Sequence, residues 1–179
     1  FRSDKRKPNV EVSGRKGLGV KADDLIDKLI EKALDEVTSR QADEPAESRR
    51  RAATQIAIGA LRYFMLKYTR NSVIAFDFGE ALSFVGETGP YLQYATLRAR
   101  RILLKLEERN ETLPDFHSAL TREVMSRQLA DEDCWQLLLA ASKADFAVER
   151  AVASGEPAHV ARFAFDLAQA FSSFYQKFH

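Results

Sequence analysis

Apolar residues recur along this chain at helical rather than strand spacing. Between Asp23 and Arg40, Leu25, Ile26, Leu29, Ile30, Ala33 and Val37 fall three or four positions apart, which predicts an amphipathic helix. Asp23 and Asp24 suit its positive end. The polar stretch from Gln41 to Ser48 contains Pro45 and reads as a connection. From Arg49 to Tyr68 a second helix is predicted, and its middle, IAIGALRYFML, is apolar nearly all round, as in an interior helix. Val73, Ile74, Ala75, Phe76 and Phe78, bounded by Gly79, form a short β-prone run, the one place where a strand is expected.

A third long pattern opens at Pro90, whose missing N–H costs nothing in a first turn, and runs to about Asn110. Two further helical segments are expected within residues 115 to 154, the second opened by Asp131, Glu132 and Asp133. The last helix starts at Pro157. Its predicted apolar stripe is Val160, Phe163, Ala164, Leu167, Phe171, Phe174, Tyr175 and Phe178. The fold class is all-α, a helical bundle behind an extended basic N-terminal loop.

Two places carry candidate chemistry. On a wheel of 100° per residue the helix after Pro90 separates Leu92, Ala95, Ala99, Ile102, Leu103 and Leu106 from a ridge of Tyr91, Tyr94, Arg98, Arg101 and Lys105, roughly opposite. Rings interleaved with cations suit unstacked bases beside phosphates. On spacing alone, a solvated face is the more economical reading. The second place is SGRKGLGV, Ser13 to Val20, where glycines alternate with cations and a hydroxyl, as a phosphate-approaching loop requires. It lacks the Gly-Lys-Ser or Gly-Lys-Thr of a P-loop, and on spacing alone a loose basic linker is the more economical reading.

Charge sharpens that picture only locally. Lys and Arg number 27 against 26 Asp and Glu, so the whole chain names no partner. Residues 1 to 22, however, carry seven cations (Arg2, Lys5, Arg6, Lys7, Arg15, Lys16, Lys21) against Asp4 and Glu11, which suits a phosphate-bearing partner. The lone Cys134 excludes an internal disulfide and fits a reducing compartment. No stretch nears the roughly twenty apolar residues that span a bilayer, so no membrane partner and a cytoplasmic location are expected. Phe1 in place of an initiator Met implies a longer parent chain.

Catalytic residues are not expected. Glu107 with Glu108 and the Asp131 to Asp133 cluster are read as helix-end charge complementation rather than acid and base pairs. His117, His159 and His179 are too dispersed for a metal site, and Cys134 beside Trp135 reads as core, with Trp135 a packing anchor.

At FDFGEALSFVGETGPYLQYATLRARRIL the sequence closely resembles arginyl-tRNA synthetases, whose chains read FDxxxxLSFxGxTxPYLQYAxxR at this point. GALRYFML resembles the family's helix after the catalytic domain, PAHVARFAFDLAQAFSSFYQKF its signature near the end of the anticodon-binding domain, and SGRKGLGVKADDLIDKL its class I signature loop. These stretches keep the family order over nearly the whole chain. Val12 stands where the family usually has Met, and Gly14 takes the place of the second lysine of the general class I loop.

The resemblance implies three parts: residues 1–22 as signature loop, 23–87 as connecting helices, and 88–179 as an anticodon-binding bundle, incomplete at its C-terminus. It implies that Tyr91, Tyr94 and Arg98, with Arg101 and Lys105 on the same ridge, help shape or contact the anticodon loop of an arginine-accepting tRNA, whose anticodon has a central cytidine. Gln93, across the wheel from Arg98, is structural in that reading. Ser13, Gly14, Arg15 and Lys16 would close over ATP. ATP, Mg and arginine belong to the intact, monomeric enzyme, whose nucleotide-binding fold is absent from this chain. Composition also accommodates a free-standing tRNA- or RNA-binding module, or a protein-interaction bundle without catalysis.

Overall fold

The computed structural model describes residues 21–111, 115, 121–128 and 130–178, and among them every regular element is a helix. In chain order these are α1 (Ala22–Arg40), α2 (Ala46–Leu66), α3 (Phe78–Ala81), α4 (Gly89–Glu108), α5 (Arg122–Gln128), α6 (Glu132–Ala141), α7 (Ala144–Ser154) and α8 (Ala158–Phe178). The loop residues Ser13, Gly14, Arg15 and Lys16 lie outside the described residues, as do His117 and His179.

α1 and α2 form a hairpin whose core is Leu29, Ala33 and Val37 against Ala53 and Ala57. α2 is not apolar-buried all round as the sequence suggests. Ala53, Ala57, Ala60, Tyr63 and Phe64 are buried, while Met65 and Leu66 face outward. Alanines on the inner line let neighbouring backbones approach, and the bulkier residues flank it.

No strand forms at Val73 to Phe78. Residues 73–77 carry no regular structure, Phe78 opens α3, no partner strand is present among the described residues, and Val73 is 97% exposed. Rings anchor its end instead: Phe76 meets Phe64 edge-on at 4.8 Å and Phe78 at 5.2 Å. Asp77 then caps α3 by accepting from the Glu80 N–H at 2.8 Å.

α4 starts where Thr88, itself buried, donates to the Ser83 carbonyl at 2.6 Å and accepts from the Tyr91 N–H at 3.3 Å. Its first turn lies on α2: a Cβ added to Gly89 would sit 2.6 Å from the Gly59 carbonyl oxygen and 2.7 Å from Ala60 Cα. α8 then packs on α2, α4, α6 and α7. α4 and α8 run in the same direction, since Glu87 pairs with Arg162 before either helix is far advanced, and Arg98 meets Tyr175 later in both.

The closest-packed line of α8 is Ala158, Ala161, Phe165 and Ala168, none of which belongs to the predicted stripe; Val160 and Phe178 from that stripe are exposed. Small side chains let α8 approach α2 and α4. The larger apolar residues fill the sides.

Residues 115 to 154 hold three described helices where two were expected. The break at Ser142 and Lys143 has no Gly or Pro to announce it. Gly155 closes α7 in the left-handed region at φ 65°. Trp135 is not a packing anchor: it is 44% exposed, and Cys134 is only half-buried. α6 covers one side only, and Trp135 with Leu138 falls on the other.

Candidate nucleic-acid interface

The α4 ridge is present, with one member turned away. Tyr94 is 52% exposed, Arg98 half-buried, and Arg101 and Lys105 exposed. Tyr91 instead enters the α4–α8 seam, its ring 5.6 Å from Phe165 and its hydroxyl donating to Ser172 Oγ at 3.3 Å. The helical wheel explains this: at 100° per residue Tyr91 lies beside Ile102, at the margin of the apolar face. Ile102 and Leu103, expected to be covered, are exposed.

Tyr94, Arg98, Arg101, Ile102, Lys105 and Tyr175 line a cleft of about 440 Å³. Within it the Arg98 guanidinium lies 3.9 Å from the centre of the Tyr175 ring and 5.4 Å from that of Tyr94. Two phenol rings from different helices thus hold one planar cation at the mouth of a cleft. Arg101 and Lys105 follow at one-turn intervals. This arrangement can stack a base beside the guanidinium and neutralise the phosphates on either side of it.

Tyr175 belongs to this site although its sequence position places it among the apolar residues of α8. No local signal in the sequence separated it from the neighbouring rings of that helix. Gln93 is structural: its amide nitrogen donates to the Gln55 carbonyl at 3.1 Å, tying α4 to α2.

Another cavity, about 660 Å³ between α1, α2 and α4, is a different kind of place. Ile56, Leu82, Leu92 and Leu97 line it. Its stacked cation, Arg40 at 5.0 Å from Phe84, is also paired with Glu36 at 3.2 Å. The cationic ridge is on the other side of α4.

Two polar anchors fix α8, and with it Tyr175. Tyr63 of α2 donates to the Ala161 carbonyl at 3.2 Å and lies 3.4 Å from Glu87 Oε1. Burial, then the Glu87 charge, pushes its phenol well above the ordinary range, so it remains a donor at any physiological pH. At the far end Lys177 pairs with Asp131 at 2.7 Å and Asp133 at 2.9 Å. The Asp131 carboxylate also caps α6, accepting from the Asp133 and Cys134 N–H groups. Helix-end complementation therefore describes Asp131 to Asp133. It does not describe Glu107 and Glu108, which sit at the carbonyl end of α4.

The Lys177 hydrogen bond, then the cap, holds the Asp131 pKa below its usual value, and the same pairing raises that of Lys177. Asp131 thus contributes stability that is complete above its unfolded pKa, about 3.9, and is lost as pH falls through the depressed folded value. Lys177 contributes below its unfolded pKa, about 10.4, and that is lost as pH rises through the raised folded value. A carboxylate titration followed by NMR is expected to place Asp131 below free aspartate. In Lys177→Met its midpoint should move up toward the free value, and an unmoved midpoint would contradict the pairing.

Residues 4–78 match the family "tRNA synthetases class I (R), catalytic domain", and residues 92–179 match the "DALR anticodon binding domain". The chain is 34% identical over 171 residues to the arginine–tRNA ligase of Treponema denticola, covering 94% of this chain and 28% of that protein. It is 32% identical over 163 residues to that of Lactococcus lactis, covering 91% and 27%. The solved structure of the Thermus thermophilus arginyl-tRNA synthetase superimposes with a TM-score of 0.70 at 30% identity, over 88% of this chain and 24% of that one. The chain thus spans about a quarter of the length of these relatives, in two consecutive matched stretches. It belongs to the arginyl-tRNA synthetase family, as a segment that runs from the end of the class I catalytic domain through the DALR anticodon-binding domain.

Proposed function

We propose that the bundle from α4 to α8 grips the anticodon stem and loop of an arginine-accepting tRNA, with Tyr94, Arg98, Arg101, Lys105 and Tyr175 as its contact surface. The observation that carries this reading is the Arg98 guanidinium seated between the Tyr175 and Tyr94 rings, on the ridge of a helix whose other side joins the bundle. Tyr91 shapes the surface from beneath through Phe165 and Ser172.

The whole enzyme would attach arginine to tRNA with ATP and Mg. In it, Ser13, Gly14, Arg15 and Lys16 would bring backbone donors and cations to the triphosphate. This bundle would supply binding energy remote from the reaction, which positions the acceptor end. No group of the described residues need transfer a proton for that role.

Fluorescence anisotropy with an arginine tRNA transcript tests the reading. Binding is expected at 50 mM salt and should weaken steeply with added salt, since each neutralised phosphate contributes about 0.7 to 0.9 to the logarithmic slope. Exchanging the central anticodon cytidine should weaken it further. Undetectable binding at 50 mM salt would sink the assignment, and indifference to the central base would remove the anticodon from it.

A further inference from the structure

A second cationic cleft, of about 270 Å³, opens between α7 and the first half of α8. Lys143 and Arg150 stand on its α7 side, His159 and Arg162 on its α8 side. Arg162 is engaged, 3.1 Å from Asp166 and 3.6 Å from Glu87. Lys143 and Arg150 are exposed and form no ion pair among the described residues. Asp166 is the only carboxylate lining the cleft, so its mouth is net positive. Phe146, 64% exposed, and Phe163 add apolar ring surface to the same walls.

We propose that this cleft is a second RNA contact, taking backbone phosphates of the tRNA whose anticodon loop meets the Arg98 ridge; it therefore rests on the reading above. Spacing favours RNA over an unrelated anion. Arg162 precedes Tyr175 by thirteen residues on α8, an axial rise of about 20 Å at 1.5 Å per residue. That separation is on the order of half a dozen nucleotide steps along a strand, so one stem-loop can span both places. Lys143, the residue that precedes α7, and Arg150 lie about two turns apart on the same face, with the buried Ala147 between them. That spacing suits a repeating charge. The Phe146 ring beside them can cover a ribose or an unstacked base.

The test uses the 179-residue chain and the same transcript, with Lys143→Gln/Arg150→Gln against a control, Lys28→Gln/Arg51→Gln, which removes equal charge from exposed positions on α1 and α2. Loss of two phosphate contacts should make the logarithmic salt slope shallower by about 1.4 to 1.8. It should also lower affinity roughly tenfold at 0.1 M salt, equally for transcripts that differ in the central anticodon base. Each single variant should give about half the change, and circular dichroism should be unaltered because both side chains are exposed.

An unchanged slope and affinity in the double variant would overturn the proposal while leaving the ridge assignment standing. Equal losses in the control would also overturn it, assigning the effect to net charge. If poly-glutamate displaces tRNA from the parent chain but not from the double variant, the cleft takes acidic peptides instead. If the parent chain binds no tRNA, the underlying reading and this one fall together.

Discussion

Replacing Gly89 with alanine is expected to destabilise the chain by about 2 to 3 kcal/mol, the upper part of the range for overpacking a tight contact. Helix propensity pulls the other way, favouring alanine over glycine by up to about 1 kcal/mol. The surroundings decide the sign. The new methyl would lie 2.6 Å from the Gly59 carbonyl oxygen and 2.9 Å from the Ala60 N, both backbone atoms of α2, so relief requires moving one helix off the other. A thermal melt should show a loss of roughly 5 to 10 °C for a chain of this length.

Gly59→Ala provides the contrast. Its methyl would meet the Gln93 amide, the end of a side chain that can swing away at the cost of its bond to Gln55. A smaller loss is expected there. A Gly89→Ala protein as stable as its parent would mean that α2 and α4 are not in contact at this crossing.

The second large effect concerns Arg98. Arg98→Ala should weaken tRNA binding about 10- to 100-fold, roughly 1.4 to 2.8 kcal/mol, as for loss of one stacked base and one phosphate contact. Arg98→Lys separates the two contributions. Lysine keeps the charge and therefore the salt slope, but has no plane to lie against Tyr175, so most of the dependence on the central base should disappear. Tyr175→Phe should bind nearly as well as the parent and Tyr175→Ala should not, because the ring face rather than the hydroxyl meets the guanidinium. Parent-like affinity in Arg98→Ala would end the assignment of this ridge to RNA.

Much of this was legible in the sequence, for physical reasons. Apolar periodicity located α1, α2, α4 and α8 because each buries one stripe, and the wheel brought Tyr94, Arg98, Arg101 and Lys105 to one side. What periodicity misses is what depends on a partner. The ring under Arg98 is on α8, and nothing local to Tyr175 distinguishes it from Phe171 or Phe174. The inner line of α8 is mostly alanine because close approach, not hydrophobicity, selects it.

The β-prone residues at Val73 to Phe76 had no second strand to pair with among the described residues, so propensity did not decide their conformation. Trp135 shows the same limit in reverse, since a large ring is buried only where another element covers it. The functional family was legible through the long PYLQYA motif. The site geometry needed the second helix.

α4 ends at Glu108, so its last carbonyls gather just beyond Lys105. Such an end carries about half a negative elementary charge. Part of the positive field of Arg101 and Lys105 is therefore offset by the protein's own backbone. The bundle should attract an incoming polyanion less strongly at this end than a tally of its lysines and arginines implies, and docking from the amino-terminal side of the ridge should be favoured.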